Sequence, residues 1–298
     1  MDLLKLQDWS GKQLADVIEL AAGVKENPRK YAKALEGKTL AMLFQKDSTR
    51  TRCSFEAGMT QMGGHAIFLD WRTTHLHSAA LVDEAKCIER YADIIMARVF
   101  AHSDVKAIAD ACSVPVINGL CNDWHPCQVL GDLLTIKEKK GKLDGLKLVF
   151  VGDGCNTCNT LIVGGAMVGM RVSVATPAKY KPSPEAEAIG KMAGAYSWSE
   201  SPQETVKGAD VVYTDTWVSM GFEGDEKERL KIFPRYQVNA ALMSGAKPGA
   251  VFMHCMPVHR GQEVSNEVLD GKQSVIFDQA ENRLHAQKAI MLKLLEKN

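Results

Sequence analysis

A cluster of cations and hydroxyls follows the apolar segment Lys38–Phe44. The residues are Ser48-Thr49-Arg50-Thr51-Arg52, and they open a stretch of helical period that runs toward Gly63. The first turn of a helix presents unpaired N–H groups and a partial positive charge, and an arginine can bind two phosphate oxygens at once. The cluster therefore predicts a site for a small phosphate. The alternative is ordinary N-capping beside solvated arginines.

A second candidate is the tetrapeptide His125-Pro126-Cys127-Gln128. Proline suits the first turn of a helix, so His125 lies at the positive end of that helix, where protonation of the imidazole is opposed. A neutral imidazole can donate to a carbonyl oxygen, and Gln128, about one turn later, can hold an amide-type group. The alternative is a capping histidine beside a surface glutamine.

A third candidate, His254-Cys255-Met256-Pro257, ends an apolar segment. In parallel sheets, ligands bind beyond the carboxyl ends of the strands. The cationic neighbours His254, His259 and Arg260 favour a thiolate at Cys255, and the Met256–Pro257 bond is a candidate for a cis peptide. The alternative is a buried strand cysteine.

Two further polar segments follow apolar runs in the second half of the chain. Asp215 and Ser219, in the segment DTWVSMG, can receive an ammonium group, and the backbone near Met220 can receive a carboxylate. Asn156, which follows the segment GDGC, adds an amide donor. These groups together suit an amino acid.

Cofactor and metal sites are not expected. Thr157 stands where a dinucleotide fingerprint needs its third glycine. The pair Cys155-x-x-Cys158 has no second pair at zinc-site spacing.

Apolar runs of strand length alternate with segments of helical period, which predicts parallel sheets covered by helices. The chain reads as two α/β halves, with a break in the charged segment 137–146. The predicted strands are Lys38–Phe44, His65–Leu69, Ala92–Arg98, Lys147–Gly152, Met170–Thr176, Ala209–Asp215 and Ala250–Cys255. The predicted helices include Leu81–Arg90, Asp104–Cys112, Pro126–Lys139, Pro184–Ala193 and Arg283–Leu295.

The composition narrows the classes of partner. The 298 residues carry a formal net charge of zero, which gives no reason to expect nucleic acid or an acidic membrane surface. No signal-peptide core or membrane-length apolar run is present in the sequence. Eight irregularly spaced cysteines do not suggest a disulfide framework, and we expect a reducing cytoplasm.

Together and in this order, these motifs resemble those of the aspartate/ornithine transcarbamylase family over nearly the whole chain. The matching segments are STRTR, MARVF with Arg98, HPCQ, DTWVSMG of the ornithine type, HCMP with Met256 in place of leucine, and AENR with Arg283.

The resemblance implies an α/β fold of two domains, each with a central parallel sheet flanked by helices. Residues 1–135, joined by the C-terminal helix 283–298, would bind carbamoyl phosphate, and residues 136–282 would bind the amino acid. Pro126–Lys139 and the last helix would bridge the two domains. The implied reaction transfers a carbamoyl group from carbamoyl phosphate to the side-chain amine of L-ornithine. It uses no metal or organic cofactor, and the implied assembly is a homotrimer or a multiple of trimers with shared active sites.

The resemblance also assigns roles to residues. The phosphate would be held by Ser48, Thr49, Arg50, Thr51 and Arg98. The carbonyl oxygen would be polarised by Arg50, His125 and Arg283. The carbamoyl NH₂ would be held by Gln128 and the backbone around Cys255 and Met256. Ornithine would meet Asn156 and Met220 through its carboxylate and Asp215 and Ser219 through its α-ammonium group, while Cys255 would influence the attacking amine.

The segment 70–80 departs from the family pattern. In the family this loop reaches a neighbouring subunit, and here Arg72 or His75 could serve. Two alternatives to ornithine transfer stay open. The acceptor could be putrescine, an N-acylated ornithine or another diamino acid, or the chain could bind carbamoyl phosphate without turnover. Asp215 favours a free α-amino acid.

Overall fold

The computed structural model describes residues 1–218 and 223–296. The chain divides into two compact units. The first comprises Met1–Leu134 together with Asn282–Asn298, and the second comprises Thr135–Glu281. The chain passes from one unit to the other after Leu134 and after Glu281, and each of these points falls within a helix.

The first unit contains a parallel sheet with strand order β2-β1-β3-β4. Its strands are β1 (Thr39–Phe44), β2 (His65–Asp70), β3 (Ile94–Arg98) and β4 (Val116–Leu120). Every residue of β3 and β4 is buried, as expected where helices cover both faces of a parallel sheet. Because parallel strands run the same way, the residues that follow β1, β3 and β4 emerge at one edge of the sheet.

The helices that begin in the described part of the first unit are α1 (Gly11–Glu26), α2 (Thr49–Gln61), α3 (Leu81–Ile88), α4 (His102–Ala111) and α5 (Pro126–Lys140). Helix α2 starts directly after β1, and α5 starts soon after β4. The proline at the first position of α5 lacks the N–H that would have no partner there, and its fixed φ suits a helix.

The second unit contains a parallel sheet with strand order β7-β6-β5-β8-β9. Its strands are β5 (Lys147–Val151), β6 (Arg171–Ala175), β7 (Tyr196–Ser199), β8 (Val211–Thr214) and β9 (Val251–His254). The central strands β5 and β8 are buried almost throughout. The segments after β5, β8 and β9 emerge at the carboxyl edge of this sheet.

The helices that follow β5 along the chain are α6 (Asn156–Met167), α7 (Pro184–Met192), α8 (Pro202–Thr205), α9 (Glu226–Ile232), α10 (Ala240–Met243), α11 (Asn266–Leu269) and α12 (Ile276–Leu295). A core on one side of the sheet contains aromatic side chains from the α9 region. The ring of Phe233 lies 5.9 Å from that of Trp217 and 5.0 Å from that of Tyr180, measured between centroids.

The fold class predicted from the sequence is confirmed, and so are the seven predicted strands, with ends that differ by a few residues. Strands β4 and β7 were not predicted. β4 contains Asn118-Gly119, a pair typical of turns. In the fold, the Asn118 side chain donates to the Leu4 carbonyl at 2.9 Å, and a Cβ at Gly119 would lie 2.4 Å from the sulfur of Met96. These contacts explain why Asn118 and Gly119, which are typical of turns, occur within a buried strand.

The last helix is longer than predicted, because it begins at Ile276 and not at Arg283. Among the described helices, we find none that combines the length and the apolar character needed to cross a bilayer.

Candidate active site

The hydroxyls of the STRTR segment build the start of α2. Ser48 is the N-cap residue, and its Oγ accepts from the backbone N–H of Thr51 at 3.2 Å. The same Oγ lies 3.0 Å from Thr51 Oγ1. Thr51 Oγ1 in turn accepts from the guanidinium of Arg283 at 2.7 Å. The capping alternative is therefore correct for Ser48, and the cap is joined to a buried arginine.

The two arginines of this segment have different surroundings. Arg52 is exposed, pairs with Glu56 at 2.9 Å, and stacks 3.8 Å from the centroid of the Phe68 ring. Arg50 is partly buried, and its charge acts on the buried imidazole of His125. The structure therefore associates Arg50 with His125, whereas Arg52 is engaged with Glu56 and Phe68.

A cationic cluster surrounds His125, which is 5% exposed. We use this name for Lys46, Arg50, Arg98 and Arg283, whose charges all lower the pKa of His125. Arg98 ends β3, and Arg98, Arg283 and Lys46 are each buried. Several buried cations repel one another, so their assembly at one sheet edge favours a multiply charged anion as ligand.

The pKa of His125 lies well below its usual value. Burial, which disfavours the charged imidazole, is the main cause, and the charges of Arg283, Arg98, Arg50 and Lys46 add to it. The sequence predicted a neutral imidazole from the helix N-terminus alone. The neutral form agrees with that prediction, and burial and cations contribute to it.

This low pKa has a testable consequence for the pH profile. We expect His125 to stay neutral as the pH falls through the usual histidine range near 6.5, so activity is not lost there through this group. In the unfolded chain this histidine takes up a proton as the pH falls below about 6.5, whereas in the folded protein it stays neutral. The free energy of unfolding therefore decreases as the pH falls below that value. Replacing Arg283 with methionine removes the strongest cationic contribution and should raise the pKa. Histidine-selective NMR titration of both proteins measures it. A wild-type His125 that titrates near 6.5 would contradict this account.

Gln128 is buried one turn into α5. Its Nε2 donates to Asp132 Oδ1 at 2.9 Å, and Asp132 is fully buried. The other end of the amide, Oε1, is buried and accepts no hydrogen bond from any residue within 1–218 and 223–296. A buried acceptor in this state suits a ligand N–H group.

Asn156 and Asp215, which the sequence predicts to bind an amino acid, lie at the carboxyl edge of the second sheet. Asn156 begins α6 after β5, and Asp215 follows β8. Asp215 is buried; its Oδ1 accepts from the N–H of Thr216 at 2.8 Å, and its Oδ2 lies 3.5 Å from Cys155 Sγ. Burial and the carboxylates of Asp215 and Asp153 raise the pKa of the Cys155 thiol, so it serves as a neutral donor.

The loop between β5 and α6 needs glycine for close packing. A Cβ at Gly154 would lie 2.3 Å from the backbone carbon of Lys181. Gly152 has φ of +130°, a conformation that side chains disfavour. The glycines that resembled part of a dinucleotide fingerprint therefore shape this turn.

The segment after β9 is held by a buried histidine. The Met256 N–H donates to His254 Nδ1 at 2.9 Å, which requires the proton of a neutral ring to be on Nε2. That nitrogen donates to Glu263 Oε1 at 3.1 Å. Met256 has φ of +60°, and the Met256–Pro257 peptide is cis, as predicted. The histidine bond therefore supports a backbone conformation that is unfavourable for methionine.

The surroundings of Cys255 include a carboxylate as well as the predicted His254. Arg260 is directed to Asp270, with hydrogen bonds of 2.7 and 2.8 Å. A carboxylate oxygen of Asp215 and a ring nitrogen of His254 both lie within 4.8 Å of Cys255 Sγ. Asp215, His254 and Cys255 are the one group of potential metal ligands found among the described residues. Because both nitrogens of His254 are engaged, this group offers only two donors, fewer than zinc sites use.

Two predicted residues, Ser219 and Met220, lie outside the described residues. In the atypical segment 70–80, Arg72 is exposed and pairs with Asp70 at 2.8 Å and with Asp47 at 2.9 Å. His75 begins a short 3-10 turn. Arg72 is therefore neutralised by carboxylates within its own unit.

Two family models together match most of the chain. Residues 1–138 match the aspartate/ornithine carbamoyltransferase carbamoyl-P binding domain, and residues 144–294 match the Asp/Orn binding domain of the same family. The chain belongs to the aspartate/ornithine carbamoyltransferase family.

Individual relatives are similar over nearly their full length. The chain is 48% identical to ornithine carbamoyltransferase of Carboxydothermus hydrogenoformans, over 99% of this chain and 97% of that protein. It is 47% identical to ornithine carbamoyltransferase of Bacillus subtilis, over 99% of this chain and 94% of that protein. The solved ornithine carbamoyltransferase from Pyrococcus furiosus has a TM-score of 0.93 at 47% identity, over 97% and 95% of the two chains. That from Thermus thermophilus has a TM-score of 0.91 at 41% identity, over 99% of each.

Sequence reasoning missed several buried polar groups in this carbamoyltransferase chain. Lys46 Nζ lies 2.5 Å from Asn122 Oδ1 and 4.6 Å from the centroid of the Phe100 ring. Asp132 and Glu263 hold Gln128 and His254, as described above. Lys46 lies four residues before Arg50, and Asp132 lies four residues after Gln128. This closeness to the motifs is the signal that could have identified them.

A further missed network, in the second unit of this carbamoyltransferase chain, centres on Arg229. Its guanidinium donates to Asp153 Oδ2 and to the Trp217 carbonyl, each at 2.8 Å, and lies 4.5 Å from the centroid of the Tyr180 ring. Burial raises the pKa of Asp153 to about 6, and Arg229 opposes that rise. Arg229 therefore fixes the chain two residues after Asp215.

Proposed function

We propose that this protein transfers the carbamoyl group of carbamoyl phosphate to the side-chain amine of L-ornithine, giving L-citrulline and phosphate in arginine metabolism. The observation that carries the proposal is the cationic cluster around a neutral His125. Carbamoyl phosphate combines a phosphate with a carbonyl and an NH₂ group. The cluster supplies cations, His125 is a neutral imidazole able to donate, and Gln128 has a buried acceptor.

The chemistry needs charge stabilisation at two places. The amine nitrogen attacks the carbonyl carbon and forms the C–N bond, and the bond from that carbon to the phosphate oxygen then breaks. The phosphate leaves with the bonding electron pair, and the amine loses a proton. We assign the phosphate to Ser48, Thr49, Arg50, Thr51 and Arg98, and the carbonyl oxygen to Arg50, His125 and Arg283. Fixed cations at both places stabilise charge that develops in the transition state.

Residues of the second unit suit a free α-amino acid as the acceptor of the carbamoyl group. Asp215 is a buried carboxylate at the end of a strand, suited to an ammonium group, and Asn156 offers an amide to a carboxylate. With Ser219 and the Met220 backbone, these groups would fix the α-carbon and leave the side-chain amine to react. We assign the carbamoyl NH₂ to Gln128 and the backbone of Cys255 and Met256, and to Cys255 an influence on deprotonation of the amine.

We also propose a homotrimer, or a multiple of trimers, in the cytoplasm. Membership of the family supports this assembly, and the irregular spacing of the eight cysteines supports this compartment. Light scattering on a size-exclusion column would give the mass as a multiple of the 32.7 kDa chain.

The function is tested by ureido-product formation from carbamoyl phosphate with equal concentrations of ornithine, putrescine, N-acetylornithine, lysine and aspartate. We expect strong turnover with ornithine alone. Asp215→Asn should raise the KM for ornithine by about 100-fold, since a hydrogen bond between charged groups is lost, and should leave the KM for carbamoyl phosphate within about threefold. Turnover with another acceptor would overturn the assignment of Asp215, and no turnover with any acceptor would overturn the function itself.

A further inference from the structure

The carboxylate of Asp132 has no place in the reaction assigned above, yet it is fully buried next to a substrate-binding amide. We propose that Asp132 is a positioning residue that sets the orientation of the Gln128 amide and thereby makes the site select a carbamoyl group over an acyl group of the same size. This inference rests on the proposed function, because it takes carbamoyl phosphate as the ligand.

The geometry of α5 places the two side chains next to each other. Gln128 and Asp132 are four residues apart and therefore share a face of the helix. Gly131 lies on the same side, and a Cβ there would be 3.2 Å from the backbone nitrogen of Arg283. The face that carries Gln128 and Asp132 thus packs closely against the segment that supplies one member of the cationic cluster. The Gln128 N–H also bonds to the His125 carbonyl at 3.2 Å.

The hydrogen bond between Gln128 and Asp132 has a fixed direction. A carboxylate can only accept, so the NH₂ end of the Gln128 amide must face Asp132. The distance from Nε2 to Oδ1 is 2.9 Å. The opposite end of the amide, Oε1, is then fixed as an acceptor. It is buried, and no donor reaches it among the residues that the structure describes.

A fixed, buried acceptor discriminates between ligands by the group that they place against it. The carbamoyl NH₂ is a donor and would satisfy Oε1. The methyl group of acetyl phosphate, which replaces that NH₂, cannot donate and would leave Oε1 buried without a partner. A reversed carbamoyl group would place its carbonyl oxygen against Oε1, which is repulsive. Sites built to bond a substrate N–H or O–H discriminate strongly against analogues that lack it, because their own polar group is left unpaired.

A conservative substitution distinguishes a positioning role of Asp132 from a merely structural one. An asparagine at position 132 has nearly the same shape, but its amide can either accept from Nε2 or donate to Oε1. The Gln128 amide can then turn over without losing its bond to residue 132. Asp132→Asn therefore removes the selection of orientation while it preserves a hydrogen bond and the packing of α5.

The experiment compares carbamoyl phosphate with acetyl phosphate as ligands of the full-length protein. Dissociation constants would be measured by calorimetry for both compounds and for inorganic phosphate. We expect the wild type to prefer carbamoyl phosphate by about 100-fold, and Asp132→Asn to reduce that preference about tenfold. Binding of inorganic phosphate should change by less than about threefold, since the cationic cluster is intact. Gln128→Met should reduce the preference as well, and the double variant should reduce it no further.

Asp110→Asn is the matched control. Asp110 lies on helix α4 of the same unit, is exposed, and pairs with Lys106 at 2.6 Å. This variant should keep the full preference. If Asp132→Asn does not fold in a thermal melt, Asp132→Ser provides a second test, because its shorter side chain leaves Nε2 without a fixed acceptor and lets the Gln128 amide turn over.

The outcomes are distinct. A preference unchanged in the folded Asp132 variant would overturn the inference, and so would a parallel loss of inorganic phosphate binding, which would indicate a general structural role. A wild type that binds inorganic phosphate but does not prefer carbamoyl phosphate would overturn the inference together with the assignment of Gln128. Wild-type turnover of carbamoyl phosphate with ornithine, measured separately, reports whether the proposed function holds.

Discussion

Replacing Arg50 with glutamine should lower kcat/KM for carbamoyl phosphate by about 1000-fold, a loss typical of removing one charge-stabilising group from an active site. The reason is its place in the cationic cluster, where its charge acts on His125. The leaving phosphate gains charge as its bond to carbon breaks, so the cation contributes more in the transition state than in the bound substrate. Steady-state kinetics with carbamoyl phosphate varied at saturating ornithine measure the effect.

Arg52→Gln is the control, two residues along the same helix. Arg52 is exposed, its charge is paired with Glu56, and its guanidinium stacks on Phe68. Exposed ion pairs contribute about 1 kcal/mol or less, so kcat/KM should stay within about threefold of the wild type. Equal losses at both positions would show that the motif acts through its overall charge and that the distinction between the two arginines is wrong.

Replacing Arg229 with methionine should lower the free energy of unfolding by about 3 to 5 kcal/mol at pH 8, the range seen when one partner of a buried ion pair is removed. The change leaves Asp153 buried without its cation and removes the donor to the Trp217 carbonyl. Chemical denaturation followed by circular dichroism measures the free energy.

The pH dependence of this loss has a definite sign. The pKa of Asp153 is raised to about 6 in the folded protein, above its usual value, so its ionisation weakens folding as the pH rises through that value. Without Arg229 the pKa rises further, and ionisation becomes still less favourable. The difference between Arg229→Met and the wild type should therefore be smaller at pH 5.5 than at pH 8.

Arg235→Met is the matched control for this prediction. Arg235 also stacks on an aromatic ring, 5.0 Å from the centroid of Tyr236, but its side chain is 62% exposed. Its replacement should change the free energy of unfolding by less than about 1 kcal/mol at either pH. A loss at Arg229 no larger than that at Arg235, or independent of pH, would show that Asp153 does not depend on its buried partner.

Much of the fold could be predicted because each buried parallel strand is a contiguous run of apolar residues in the sequence. The segments before Arg50, Asn156 and Asp215 are such runs, and each site residue follows its strand closely in the chain. Strand β4 was missed because Asn118-Gly119 resembles a turn. The amide nitrogen of Asn118 donates to the Leu4 carbonyl, and a Cβ at Gly119 would lie 2.4 Å from the sulfur of Met96. Neither contact is visible in the neighbouring sequence.

The sequence by itself determined the family, the two parallel sheets, and the positions of the candidate residues after their strands, because these features depend on contiguous residues. Only the tertiary structure joined Arg283 to Thr51 and directed the Gln128 amide through Asp132. It also placed the carboxylate of Asp215 within 4.8 Å of Cys255 Sγ. The physical reason is that burial and pairing set the charge state and orientation of a polar group, and both depend on residues that can be hundreds of positions apart along the chain.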